Sequence, residues 1–400
     1  MNWDLLLYLL VLLLSAKFFG GLFLRGGFSP LIGEVAIGVL LGPAGYGLIT
    51  IEPGETISDG ITAVAMLGLV VMMLVAGLNS RFEHFMRIKY RALVIALCGM
   101  SVSFALGFGI AYAWGYQTLA CVFVGAALSN TATEVVTRVV GKSRHSQLIV
   151  SAALIDDIMA VYVLGLLSSA VLRGGLDWSV FAWTTLGIFV FFVLVTYLSR
   201  KLIIEMNLMQ KLWRFEKGEV PITFVVCLAL ALAVATHYIG LHAIIGAYMA
   251  GMFISRLRER PDALLLSRIQ LNAILDNVTT SLQSILTPMF FVFVGLNFPA
   301  LGEIGWGMVP LLLALLAAAF VGKMVGCGAG AAVSGYRGRD IAIIGTAMCS
   351  RGSLEIAVLL FGLESEILPS ALFATMIAVT LATTLLTPIF FKLVSKEGTG

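Results

Sequence analysis

The sequence predicts an all-α, polytopic membrane protein of about thirteen transmembrane helices, built as inverted repeats with two crossed, broken helices. Three observations carry that reading. Sixty per cent of the 400 residues are hydrophobic against 12% charged, with a mean hydropathy of +1.02, which excludes a soluble globular domain. The apolar residues fall into runs long enough to cross a bilayer, about 20 residues each, joined by short polar connections. Short motifs of the first half return in the second half at nearly constant spacing. The net charge of +3 is too small to suggest a nucleic-acid partner.

The first run, 4–24, lacks a basic leader and a small-residue cleavage site, so a retained helix is expected rather than a signal peptide. Lys17 within it is placed to snorkel. The second run is 30–49. The third, 59–79, closes on Gly77-Leu78-Asn79, and the fourth, 91–114, ends on an interfacial Trp114. The fifth, 118–138, is interrupted by Ser129-Asn130-Thr131-Ala132-Thr133-Glu134, polar residues that form helix poorly. The sixth, 147–172, carries adjacent Asp156 and Asp157, and the seventh, 179–200, is a span linking the two halves. The eighth to eleventh are 220–238, 241–256, 268–297 and 305–333, the last carrying Lys323. The twelfth, 340–362, is broken at Cys349-Ser350-Arg351-Gly352-Ser353, with Gly as breaker, and the thirteenth is 368–392. The five cysteines lie in apolar stretches without paired spacing and are read as packing residues; no metal-ligand cluster and no cofactor motif is visible.

The repeat joins these runs in pairs. Gly77-Leu78-Asn79 returns as Gly295-Leu296-Asn297 after 218 residues, Gly33 and Gly38 as Gly246 and Gly251 after 213, and Ser129…Glu134 as Ser350…Glu355 after 221. Six spans, one linking span and six spans place the halves in opposite orientation, the plan of secondary transporters. Most basic residues gather in alternate connections, such as Arg81/Arg87/Lys89/Arg91 and Arg337/Arg339. The positive-inside rule then puts the N-terminus outside and the C-terminus in the cytoplasm of a cell inner (plasma) membrane. His84 and His145 fall in cytoplasmic connections, where a solvated loop histidine is the favoured reading and a pH sensor the alternative.

Two adjacent carboxylates in an apolar run do not persist without a proton, a cation or a basic partner, since each costs roughly 2.5–3.5 kcal/mol there when ionised. Successive helical residues project about 100° apart. One carboxylate is therefore expected to serve a travelling ion and the other a fixed counter-charge. Non-helical backbone at membrane depth is tolerated only inside protein or along a wet cavity, where freed carbonyls are expected to become cation ligands. Asp156, Asp157, Lys323, Ser350 and Arg351 all lie near mid-depth of their segments, so one shared site is the economical inference.

At these residues the chain resembles the monovalent cation/proton antiporter superfamily, in its sodium/proton antiporter and potassium-efflux branch of paired-Asp type. The matching stretches include IGEVAIGVLLGPAGYG (32–47), SNTATEVVTRVV (129–140), IDDI (155–158), GLHAIIGAYMAGMFIS (240–255), GKMVGCG (322–328) and SRGSLEIAV (350–358). The resemblance implies that Asp157 binds the ion or proton and that Asp156 pairs with Lys323, a pairing that goes with electrogenic exchange. It implies a sodium-type antiporter, because this chain has Asp-Asp rather than Gln-Asp and ends soon after its last run. Glu134 departs from the paired-Asp pattern.

Chemistry extends that expectation. Asp157 is expected to hold Na+, Li+ or K+, or a proton, and competition for one carboxylate suffices for exchange. Thr131, which is favoured, and Thr133 are candidate oxygen donors, with Ser151 a weaker one. Asp156 and Lys323 are expected to titrate as a coupled pair, the plain alternative being a structural ion pair. Arg351 is expected to neutralise Glu355 or Glu134 and the dipole ends of the broken helices. The predicted organisation is a scaffold of 1–80 and 220–297 forming a homodimer contact within membrane lipid, a transport core of 91–172 and 305–392, and the linking helix 179–200. The alternatives are a potassium/proton antiporter or a potassium-efflux channel-like protein. A channel needs multiple weak sites along a path, and an aspartyl protease needs carboxylates from different helices; neither fits two consecutive aspartates, so an enzyme is not expected.

Overall fold

The structure is a computed structural model. It describes residues 3–52, 54–79, 90–141, 145–172, 182–187, 189–190, 193, 197, 220–238, 242–258, 265–300, 305 and 307–396, without the side chains of 134, 172, 220–222, 256–279 and 396. All regular structure among the described residues is helical. The helices are α1 Trp3–Arg25, α2 Pro30–Leu41, α3 Thr56–Asn79, α4 Tyr90–Ala113, α5 Thr118–Ser129, α6 Thr133–Val140 and α7 Ser146–Leu172 in the first half. In the second half they are α8 Val220–Tyr238, α9 Ala243–Arg258, α10 Leu265–Leu296, α11 Met308–Val333, α12 Arg339–Ala347, α13 Ser353–Glu364 and α14 Ser370–Lys396. Six of them, α1, α3, α4, α7, α11 and α14, are long and apolar enough to cross a membrane, and shorter apolar helices lie between them. The linking span expected at 179–200 falls largely outside the described residues, as do His84 and the side chain of Glu134; the described residues at 182–187 are helical.

Both expected interruptions are present. The fifth run is α5 and α6 separated by Asn130–Ala132, and the twelfth is α12 and α13 separated by Met348–Gly352. The first gap is shorter than the polar stretch suggested. Thr133 is β-branched and poor in mid-helix yet acceptable in a first turn, and Glu134 is a good helix former, so the two open α6 instead of extending the break.

Contacts divide the chain into two compact units. One comprises Met1–Ile61, Ile88–Val163 and Phe291–Gly400, the other Thr62–Arg87 and Leu164–Phe290. In the first unit α4 packs along α11 through a ladder of small residues: a Cβ at Gly322, Gly326 or Gly330 would press into Ser103, the Cys98–Gly99 backbone or Ile95. These glycines recur every four residues and so share one face. Lys323 follows Gly322 by one position, about 100° round the helix, and its side chain is fully buried. The half-helices α6 and α12 bed on α7 and α4 through an apolar core that includes Ile95, Val136, Ile149, Ile155 and Ile344.

The repeat is also visible in helix crossings. In the first unit α2 meets α10 with no room for a Cβ, since one at Gly38 would overlap the Val292 carbonyl and one at Gly295 the Val35 carbonyl. In the second unit α9 meets α3 in the same way, Gly77 against Tyr248 and Gly251 against Leu74. Gly38 corresponds to Gly251 in the repeat and Gly77 to Gly295, so each unit holds the same crossing with the halves exchanged.

At the basic connections of the first unit, His145 precedes α7 and its carbonyl accepts from the Ile149 amide at 3.0 Å. Its Nε2 lies 2.9 Å from Asp340 Oδ1 with the imidazole only 11% exposed. The ring meets Tyr336 edge to face at 5.4 Å, and the Arg91 guanidinium lies 5.7 Å from the centre of that tyrosine. His145 is thus a packed group facing a carboxylate rather than the solvated loop residue expected.

Candidate functional site

The two breaks meet inside the first unit. Asn130 and Ala132 are extended, with φ/ψ of −79°/158° and −76°/99°, and Gly352 is extended at −160°/−156°. The Ala132 amide donates to the Ser350 carbonyl at 3.0 Å. Gly352 is required here for room rather than for an unusual backbone angle: a Cβ there would stand 2.5 Å from Ala132 Cβ.

Side chains complete the crossing. The Arg351 guanidinium donates to the carbonyl of Asn130 and, at 3.1 Å, to that of Ala319 on α11. The Thr384 hydroxyl of α14 reaches the Arg351 carbonyl at 2.8 Å. Thr131 lies 3.3 Å from the Met348 carbonyl. The carbonyls of Asn130, Ser350 and Arg351 therefore accept protein donors, an arrangement different from the expectation that freed carbonyls become cation ligands. Hydrogen-bonding freed backbone groups inside a membrane protein avoids a cost of several kcal/mol for each one left unpaired.

The aspartates of α7 stand beside this crossing and are treated differently. Asp156 is fully buried; Lys323 Nζ pairs with its Oδ2, which also accepts from Thr131 Oγ1 at 2.6 Å. Asp157 is partly exposed, and its Oδ2 accepts from Thr133 Oγ1 at 2.7 Å. The two threonines of the first break are thus divided between the two carboxylates. Ser151 donates to the Gln147 carbonyl of its own helix at 2.7 Å, so its hydroxyl proton is committed locally.

Arg351 and Glu355 are both fully buried. Glu355, in the first turn of α13, lies within electrostatic reach of Arg351 with Thr380 beside it. Lys323 forms an ion pair with Asp156, while the guanidinium of Arg351 donates to the Asn130 and Ala319 carbonyls. Sequence reasoning missed Thr384 and Ala319, which are indistinguishable in sequence from other small residues of apolar helices, and missed Asn130 as an acceptor although it lay inside the interruption.

Comparisons with known proteins follow this geometry. The family model for the transmembrane sodium/hydrogen exchanger matches residues 3–396. The chain is similar to the Na(+)/H(+)-K(+) antiporter GerN of Bacillus cereus, 27% identical over 399 residues, covering 98% of this chain and 96% of that protein. It is similar to a Na(+)/H(+) antiporter of Enterococcus hirae, 26% identical over 385 residues, covering 93% of each. Among solved structures, the sodium proton antiporter MjNhaP1 of Methanocaldococcus jannaschii superposes with a TM-score of 0.71 at 15% identity over 98% of both chains, a likeness of fold.

Proposed function

We infer that this chain, which belongs to the sodium/hydrogen exchanger family, is a secondary active cation/proton antiporter in which a cation and a proton compete for Asp157. The observation that carries this reading is the unequal treatment of two adjacent carboxylates. Asp156 is fully buried and paired with Lys323, so its charge is matched by protein. Asp157 is partly exposed and receives a hydroxyl from Thr133. A carboxylate so placed can accept a proton or a partly dehydrated monovalent cation, but each arrival removes the charge that attracts the other. The Thr133 hydroxyl keeps its lone pairs while donating, which makes it the nearer oxygen ligand for a cation at Asp157, while Thr131 serves Asp156.

Sodium or lithium is the first reading for the cation, with electrogenic exchange in which Lys323 carries the second proton as its pairing with Asp156 changes. Potassium is the second reading, prompted by the potassium in the name of the Bacillus cereus relative. The working assembly is a homodimer in the plasma membrane, N-terminus outside and C-terminus cytoplasmic. Its scaffold is 1–80 and 220–297, its moving core 91–172 and 305–392, and 179–200 links them. The test is exchange in proteoliposomes, read by dequenching of a pH dye on adding Na+, Li+ or K+, with and without a voltage clamp. Asp157→Asn is expected to abolish the signal while the protein remains folded; retained exchange would move the ion site elsewhere.

A further inference from the structure

Thr384 is the tie that holds the second break to a helix belonging to neither broken segment. The stretch Met348–Gly352 leaves the Ser350 and Arg351 carbonyls bonded outside their own helix. Ser350 is served by the Ala132 amide of the opposite break, a contact that registers the two breaks with each other. Arg351 is served by Thr384 of α14, 33 residues along the chain. The hydroxyls of Thr375, Thr383 and Thr387 lie on carbonyls of α14 itself; that of Thr384 does too and has, in addition, this acceptor in the break.

We propose that Thr384 is a positioning residue for the ion site, fixing through the Arg351 carbonyl where the Arg351 guanidinium acts. That guanidinium holds the carbonyl at the C-terminal end of α5 and the carbonyl of Ala319. Ala319 lies one turn before Lys323 on the same face of α11, and Lys323 holds Asp156. The link therefore runs from α14 through the break to both charged partners of the site without Thr384 touching an ion. Its hydroxyl has a single proton and two acceptors, the Arg351 carbonyl at 2.8 Å and the Thr380 carbonyl at 2.7 Å. The break can be released without stranding the hydroxyl, while Thr384 is the donor to the Arg351 carbonyl among the described residues.

The inference rests on the antiport reading, and its test separates the two. Thr384→Val keeps the shape and removes the donor; Thr384→Ser keeps the donor. In proteoliposomes Thr384→Val is expected to raise the half-saturating Na+ concentration about fivefold, the factor one net hydrogen bond is worth, with Thr384→Ser restoring the wild-type value. A threonine that only packed would change the yield of folded protein and leave half-saturation alone. Hydrogen exchange provides a readout independent of transport: the amides of Gly352–Leu354 are expected to exchange faster in Thr384→Val and at the wild-type rate in Thr384→Ser. Wild-type half-saturation together with wild-type amide protection in Thr384→Val would overturn the proposal. If the wild-type protein moves no protons with any of the three cations, the antiport reading falls, and amide protection alone decides the role of Thr384.

Discussion

Placing a methyl group at Gly352 tests whether the two breaks are locked to each other. The new Cβ of Gly352→Ala would stand 2.5 Å from Ala132 Cβ, whereas carbon atoms rest about 3.5–4.0 Å apart. The breaks must therefore separate by about 1 Å. The Ala132–Ser350 hydrogen bond, now 3.0 Å, would lengthen to about 4 Å and cease to be one. Overpacking costs about 1–3 kcal/mol, and stranding a buried backbone donor adds a similar amount, so the substitution is expected to cost about 2–6 kcal/mol. The structure also supplies its remedy. Ala132→Gly removes the obstructing methyl and leaves the new Cβ 3.2 Å from the Cα of residue 132, a fit that needs only a few tenths of an ångström. Glycine at an extended position costs roughly 0.5–1 kcal/mol, so the double variant should recover at least half of the loss. Unfolding in detergent micelles measures stability, and cation-driven proton exchange measures the site. A Gly352→Ala variant within about 0.5 kcal/mol of wild type, or a double variant no better than the single, would refute the idea of a locked crossing.

Two further outcomes follow from the charged groups of the first unit. Asp156→Asn strands the buried Lys323 charge and is expected to cost about 3–5 kcal/mol, while adding Lys323→Met replaces a broken pair by apolar contact and should recover most of it; equal melting of Asp156→Asn and wild type would remove Lys323–Asp156 as a structural pair. The His145–Asp340 contact at 2.9 Å ties the connection before α7 to the first turn of α12. With Asp340 40% exposed, solvent limits its worth to about 0.5–1 kcal/mol. Asp340→Asn is expected to destabilise by about that much, and unchanged melting would show that the contact carries no stability.

The sequence displayed what is chemically out of place in an apolar chain. Asp156, Asp157, Lys323, Arg351 and both interruptions were visible because charge, polar runs and glycine are costly in a membrane helix. The repeat was visible because close crossings admit only glycine, which leaves pairs such as Gly77 and Gly295 in register. What stayed hidden depends on direction rather than residue type. Thr131 and Thr133 look equivalent on paper, yet they divide between the two aspartates. Ser151 resembles a ligand but turns to its own helix, while Thr384, one of several threonines in α14, reaches the Arg351 carbonyl of the break as well as a carbonyl of its own helix. Arg351 lies within electrostatic reach of Glu355, as its charge invited, and also donates to the Asn130 and Ala319 carbonyls, because the breaks create acceptors that no residue type announces.

That last point bears on how a cation would be held. Unwound backbone supplies a cation site when its carbonyls face an open space. Here the carbonyls of Asn130, Ser350 and Arg351 already accept donors from Arg351, Ala132 and Thr384. The electron density they offer is partly drawn toward those donors, and moving them would break the bonds that hold the crossing together. The crossing thus acts as a frame, and the acid it presents at partial exposure is Asp157. One helical step of about 100° is enough to give Asp156 to Lys323 and leave its neighbour turned another way, which is why consecutive aspartates, rather than aspartates on separate helices, suit this division of labour.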